Sequence, residues 1–230
     1  MGKSIYEANI EALNERYGEQ YIDDMQKLWE NDELAFAEAS AEGSFSIRIK
    51  RHEKEMYISS KYSPLKEAQR FVEGLSNYDT TTLFMVFGMG IGYHIQEMCK
   101  ILGKGNHILV IEPNSNIFKR ALEVNDLRDI LQCENVYITV GSDAGKLKNV
   151  LNTFVNVANV NNFQHLIFSK YDRFYDEFYF KYINELKNHI IAVKMLVGTI
   201  NYFSYEFNRN LFHNLSHILK GYAIQDFKGR

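Results

Sequence analysis

Hydrophobic positions change their period several times along this chain. From Ser4 to Leu28 they recur near helical spacing through Ile5, Ala8 or Asn9, Ala12 or Leu13 and Tyr17, with Gly18 interrupting the run. Three short apolar runs follow, from Leu34 to Ala39, Phe45 to Ile49 and Met56 to Ser59. The middle one, Phe45-Ser46-Ile47-Arg48-Ile49, alternates cleanly, which means one dry face and one wet face. Together they predict a small antiparallel sheet before residue 60, with a turn near His52, Glu53 and Lys54. Ser63, Pro64 and Glu67 then supply a cap candidate, a proline for the first helical position and an acid for the first turn, so a helix begins there and runs to about Leu75.

Beyond Tyr78 helix and strand alternate. The pattern predicts strand 82–87, helix 92–102, strand 107–111, helix 115–123 with a further turn near 126–131, strand 136–140, helix 144–154 and strand 164–168. Four short apolar strands separated by helices imply a parallel sheet with right-handed crossovers, for which 3-2-1-4 is the natural strand order. From about Tyr171 the sequence becomes a long aromatic-rich helix. Phe174, Phe178, Tyr182 and Leu186 recur every four residues, a stripe suited to packing on the sheet or on another domain. Gly221 to Arg230 is polar and glycine-punctuated and reads as a linker. The predicted fold is α/β: a small α+β region over 1–75, a Rossmann-like domain over 76–170, and a helical extension and linker over 171–230.

The chemistry concentrates where strand 82–87 ends. Gly88, Gly90 and Gly92 alternate there, and Glu112 closes the next apolar run twenty residues after the last glycine. Glycine at a strand-to-helix turn takes positive φ and presents no Cβ, so a ligand can reach main-chain N–H groups at the positive end of the following helix. A carboxylate at the tip of the neighbouring strand is placed to accept hydrogen bonds from a ribose diol. Gly88, Gly90, Gly92 and Glu112 are therefore the expected nucleotide-binding or crevice-lining residues, with His94 in the first turn of the helix beside any bound phosphate. The spacing G-x-G-x-G is the one commoner among methyltransferase-like Rossmann folds.

Composition narrows the classes. A chain of 230 residues with 46% hydrophobic and 24% charged residues packs a sizeable core, and a formal net charge of −3 gives no global field for nucleic acid or anionic lipid. Only Cys99 and Cys133 are present, without C-x-x-C spacing, and the opening residues lack an apolar leader segment, so a reduced, cytoplasmic protein is expected. No apolar run reaches the roughly 18 residues of a membrane span. His213 and His217 stand four apart with no third ligand, so no metal is expected. Asp172, Asp176 and Glu177 fit a helix N-terminus. There is no G-x-S-x-G and no cysteine at a clearly activating position, so no catalytic set is assigned.

Three ordered segments are similar to the N-terminal half of the motility accessory factor family: Ile58 to Ala68, Val86 to His94, and Ile111-Glu112-Pro113-Asn114. In that family a segment like HS-x-Y-D-P-x-x-E-A precedes FG-x-G-x-GYH and IEP. Ser60, Tyr62, Pro64, Glu67 and Ala68 fit the first segment, while Ser59 stands where histidine is common and Ser63 where aspartate is common. The resemblance, over about residues 5–220, implies part of a bacterial glycosyltransferase that modifies flagellin with nonulosonic acids of the pseudaminic or legionaminic type. It also implies that Ser60, Tyr62 and Glu67 lie near the crevice. The family's catalytic core belongs to a downstream Rossmann-like domain opened by G-P-S-L, a motif this chain does not contain. The expectation is an N-terminal piece that organises substrate or scaffolds the catalytic domain, inactive alone, with flagellin and that domain as partners. Two rivals stand beside it. One is a stand-alone S-adenosylmethionine-dependent methyltransferase-like protein; the other is a Rossmann-shaped interaction module whose aromatic helical end meets a partner domain or a second copy.

Overall fold

The computed structural model describes residues 3–30, 32–51, 54–141 and 143–220. The turn expected near His52 and Glu53 and the linker expected over 221–230 lie outside the described residues.

Helix α1 (Ile5–Tyr17) opens with a reciprocal capping box: Ser4 Oγ accepts from the Glu7 amide at 3.2 Å, and the Ser4 amide donates to Glu7 Oε2 at 2.8 Å. Gly18, at φ +80°, ends it and starts α2 (Glu19–Trp29). Strands β1 (Ala35–Ala39), β2 (Phe45–Arg51) and β3 (Lys54–Tyr57) form the expected antiparallel sheet in the order β1-β2-β3. Helix α3 (Pro64–Glu73) has proline at its first position, as predicted.

The second sheet consists of β4 (Leu83–Phe87), β5 (His107–Glu112), β6 (Val136–Val140) and β7 (Phe163–Ile167), all parallel, in the order β6-β5-β4-β7. This is the 3-2-1-4 order expected from the alternation. Its connections carry α4 (Tyr93–Ile101), α5 (Ser115–Val124), the single turn α6 (Arg128–Leu131) and α7 (Ala144–Phe154). After β7 the chain makes a short helix α8 (Tyr171–Phe174), breaks at Tyr175, and enters α9 (Asp176–Lys220) of 45 residues. The sequence stripe did not show that break. At 1.5 Å per residue α9 is about 67 Å long.

Side-chain alternation splits the parallel strands between two cores. Phe84, Val86, Ile108 and Val110 face one core with α1, α2, α4, α5 and α6. Leu83, Met85, Phe87, Leu109 and Ile111 face the other, with the antiparallel sheet, α7 and the start of α9. The first 75 residues therefore share both cores with the Rossmann-like part. Two polar clamps fix the attachment. Buried Asn9 donates to the Leu122 and Asn125 carbonyls at 2.8 and 2.7 Å and accepts from the Leu127 amide at 2.9 Å. Arg16 donates to the carbonyls of Leu131, Cys133 and Val136. On α9, Tyr182, Leu186 and Val193 are buried, whereas no described element covers the helix from about residue 198 onward. Among the described residues, no helix is long and apolar enough to cross a membrane.

Candidate functional site

The turn after β4 has the backbone its glycines predict, with φ of +101°, +54° and +93° at Gly88, Gly90 and Gly92. Gly92 caps α4, so the amides of the turn lie at the positive end of that helix. Glu112 leaves the tip of β5 beside them, as the spacing implied.

Its direction is the surprise. Glu112 is 0% exposed and its carboxylate folds back onto the turn. Oε2 accepts from the Met89 amide at 2.9 Å, the Gly90 amide at 3.3 Å and the Tyr171 hydroxyl at 2.7 Å, while Oε1 accepts from the Asn114 amide at 3.0 Å. The Gly90 amide also donates to Tyr171 Oη at 2.8 Å. Two further amides of the turn bond within the protein: Gly88 donates to the Ile111 carbonyl and Gly92 to that of Met89. The turn has the form of an anion cradle, and the protein fills it with a carboxyl group from its own chain.

Tyr171, which sequence reasoning marked only as the start of the aromatic-rich helical end, completes the closure. It is fully buried, and its ring lies against Gly88, where an added Cβ would come within 2.4 Å of the ring carbons. Residue 171 follows β7, the strand paired with β4, so its approach to the turn is a product of sheet order that local pattern cannot carry. Burial pushes the Glu112 carboxyl up to about 7, against the lowering effect of its four donors, and burial likewise holds the Tyr171 hydroxyl well above its ordinary range.

His94 is also inside. Its Nε2 is 3.1 Å from the Gly88 carbonyl, and since a carbonyl only accepts, that nitrogen carries the hydrogen and Nδ1 is bare. The ring stacks on Phe168 at 3.6 Å between centroids and meets the edge of Phe71. Burial pulls its pKa down to about 3. The sign follows from proton counts: between about pH 3 and 6.5 the unfolded chain holds a proton the native state does not, so stability rises with pH in that window and is lost on acidification. His94→Phe keeps the stack but loses the bond to Gly88. It should be about 1 kcal/mol less stable at pH 7. At pH 4 it should be more stable than wild type, which has lost roughly 3 kcal/mol through this group. Urea titrations at the two pH values would check that the curves cross.

The other motif residues have structural partners. The Ser60 amide donates to Glu67 Oε2 at 2.6 Å, and Ser60 Oγ accepts from the amides of Tyr62 and Ser63, forming the loop that enters α3. Tyr62 is 72% exposed. None of the three hydrogen-bonds the glycine turn; α3 reaches the site through Phe71 instead. Asn114 caps α5 through the amides of Asn116 and Ile117 and donates to the Glu33 carbonyl, while Asp32 accepts from Ser115, so the segment after Glu112 is tied to the end of α2.

Residues 4–206 match the Glycosyltransferase Maf N-terminal domain. Among solved structures, the chain is similar to a MAf glycosyltransferase from Magnetospirillum magneticum AMB-1, with a TM-score of 0.53 and 12% identity. That match covers 80% of this chain and 35% of that one, so this chain spans about a third of its length. Fibrillarin from Aeropyrum pernix, solved with natively bound S-adenosyl-L-methionine, matches at 14% identity over 67% of this chain and 84% of its own, with a TM-score of only 0.30, too low to bear on this fold. No curated protein matches.

Proposed function

Because this chain belongs to the Maf glycosyltransferase N-terminal domain family, we propose that it is the organising domain of a glycosyltransferase that modifies flagellin with a nonulosonic acid. In this reading sugar transfer belongs to polypeptide outside this chain, and the glycine turn is a structural device that binds no nucleotide. One observation carries it: the Met89 and Gly90 amides at the centre of the turn are held by Glu112 and Tyr171, and the carboxylate that a ribose would need is wholly buried in the same cluster. The three ordered motifs support the flagellin and nonulosonate part.

The surface available for organising lies on α9. Its row Leu186, Ile190, Val193 and Val197 packs in the core beside α7, and the same face continues through Ile200, Phe207 and Leu211, which are exposed. The downstream catalytic domain is the partner this continuation would seat.

The test is a thermal-shift series with CMP, a CMP-activated nonulosonate, NAD and S-adenosylmethionine. A bound ligand at about 100 times its Kd adds roughly 2.7 kcal/mol, or about 5–10 °C for a chain of this size. The expected result is no shift with any of the four. A shift with S-adenosylmethionine would return the methyltransferase reading, and one with the CMP compounds would put part of the donor site here. For the organising role, flagellin glycosylation by the transferase polypeptide should need residues 1–230 supplied with it; undiminished transfer without them would reject the role.

A further inference from the structure

The exposed half of α9 carries a second apolar row on the side opposite the one that continues from α7. Ile191, Met195, Gly198, Tyr202, Tyr205, Arg209, Phe212 and Leu219 lie on steps of four and three residues, with one full heptad between the last two. The large side chains of this row, Ile191, Met195, Tyr202, Tyr205, Phe212 and Leu219, are 58–77% exposed. A helix apolar on two sides is a buried helix, and no described element covers this one.

We propose that this row pairs two copies of the chain as an antiparallel, two-fold coiled coil crossing near residue 207. Three features select a second copy and this register. First, the row follows the alternating four-three step of a coiled-coil seam, with a charged residue only at Arg209. Second, the sequence is self-complementary about 207. Tyr202 meets Phe212 of the second copy, Met195 meets its Leu219, and Arg209 lies over its Tyr205 ring, an arrangement that suits a guanidinium. Glu206 and Arg209 already pair within each helix at 2.7 Å, so two such pairs meet at the axis as a neutral four-charge cluster. A single charged layer of this kind fixes register. Third, the size is adequate. Thirty residues give a face about 45 Å long and about 10 Å wide, or roughly 900 Å² for the pair before curvature is counted, close to the ~1,000 Å² at which specific interfaces begin. The two-fold operator closes the assembly at a dimer, with the same patch used on both sides.

Sedimentation equilibrium on the 230-residue chain tests this. The expected mass at tens of micromolar is twice 26.9 kDa. Tyr202→Lys with Phe212→Lys should return the monomer while leaving the unfolding transition of the core in place, because both residues are exposed. Phe203→Lys with Phe207→Lys, on the opposite side, should leave the dimer intact. A chain that stays monomeric throughout overturns the proposal, as does a dimer dissolved by the second pair of substitutions and indifferent to the first. Orientation has its own readout in a Cys99→Ser, Cys133→Ser background. A lone Tyr202→Cys should not cross-link on oxidation, whereas Tyr202→Cys combined with Phe212→Cys should; cross-linking by the lone cysteine would mean parallel pairing and would sink the two-fold register.

Discussion

Gly88→Ala is expected to cost about 2–6 kcal/mol, enough to put a domain of ordinary stability at risk. Two terms combine. At φ +101° an L-residue is strained, by about 1–3 kcal/mol. The new Cβ would also press on the Tyr171 ring at 2.4 Å. That ring cannot retreat, since its hydroxyl bonds Glu112 and Gly90 and its other side meets Phe168 and Tyr175; overpacking of this kind adds about 1–3 kcal/mol. At the middle of the range Tm should fall by about 8–16 °C. The neighbouring glycines provide a ranking. At Gly90 the φ of +54° is the ordinary left-handed region and the nearest atom to a Cβ is a Phe168 ring carbon at 3.3 Å, so alanine there should cost least. Gly92 falls between, because its obstacle is a methyl of Leu127 at 2.9 Å that can turn aside. Denaturant midpoints for the three variants, in the order Gly90, Gly92, Gly88 of increasing damage, would support the closed turn. Equal losses for all three would count against it.

Glu112→Ala should be comparably damaging at pH 5, by about 3–6 kcal/mol, because it leaves the Met89 and Asn114 amides and the Tyr171 hydroxyl buried without their acceptor. Glu112→Gln keeps one carbonyl oxygen but turns an NH₂ toward amide donors, so it too is destabilised. The pH dependence separates this from a generic core lesion. The native carboxyl titrates at about 7 and the unfolded one near its ordinary value of about 4.5, so across that window the native state holds the extra proton. Stability that depends on this group therefore falls as pH rises from about 4.5 to 7 and stays at the lower level above. Neither variant titrates there. The deficit of Glu112→Gln relative to wild type should accordingly narrow by roughly 3 kcal/mol between pH 4.5 and pH 8. A deficit that is constant with pH would mean that Glu112 is ionised throughout.

Much of this architecture is legible in the sequence because it is written in local periods. Strand β6 and helix α7 carry the bounds that alternation and helical spacing predict, and the 3-2-1-4 order follows from four buried strands joined by helices. The positive φ of Gly88, Gly90 and Gly92 was likewise readable, since no other residue type serves that turn so cheaply. The direction of Glu112 was not. The same spacing serves a carboxylate that faces a ribose and one that turns back on the glycine amides, and what decides between them is a tyrosine 59 positions further on. Burial of His94 was equally out of reach, because Phe71 and Phe168 come to it from α3 and from the end of β7. Long-range contacts of this kind leave no period in the chain.

The clamps on α1 have a consequence for how the protein is made. Asn9 is completed only by residues 122–127 and Arg16 only by 131–136. During synthesis at about 5–20 residues per second, the first helix therefore waits roughly 6–24 s for the carbonyls and the apolar surface that hold it. Until then Ala12, Leu13, Ile22 and Met25 have no core to enter. The central strand β4 also waits, though more briefly, for its partner β7. The start of this chain is thus a segment that a chaperone on the ribosome would shield, and it cannot dock before residues 122–136 have been made.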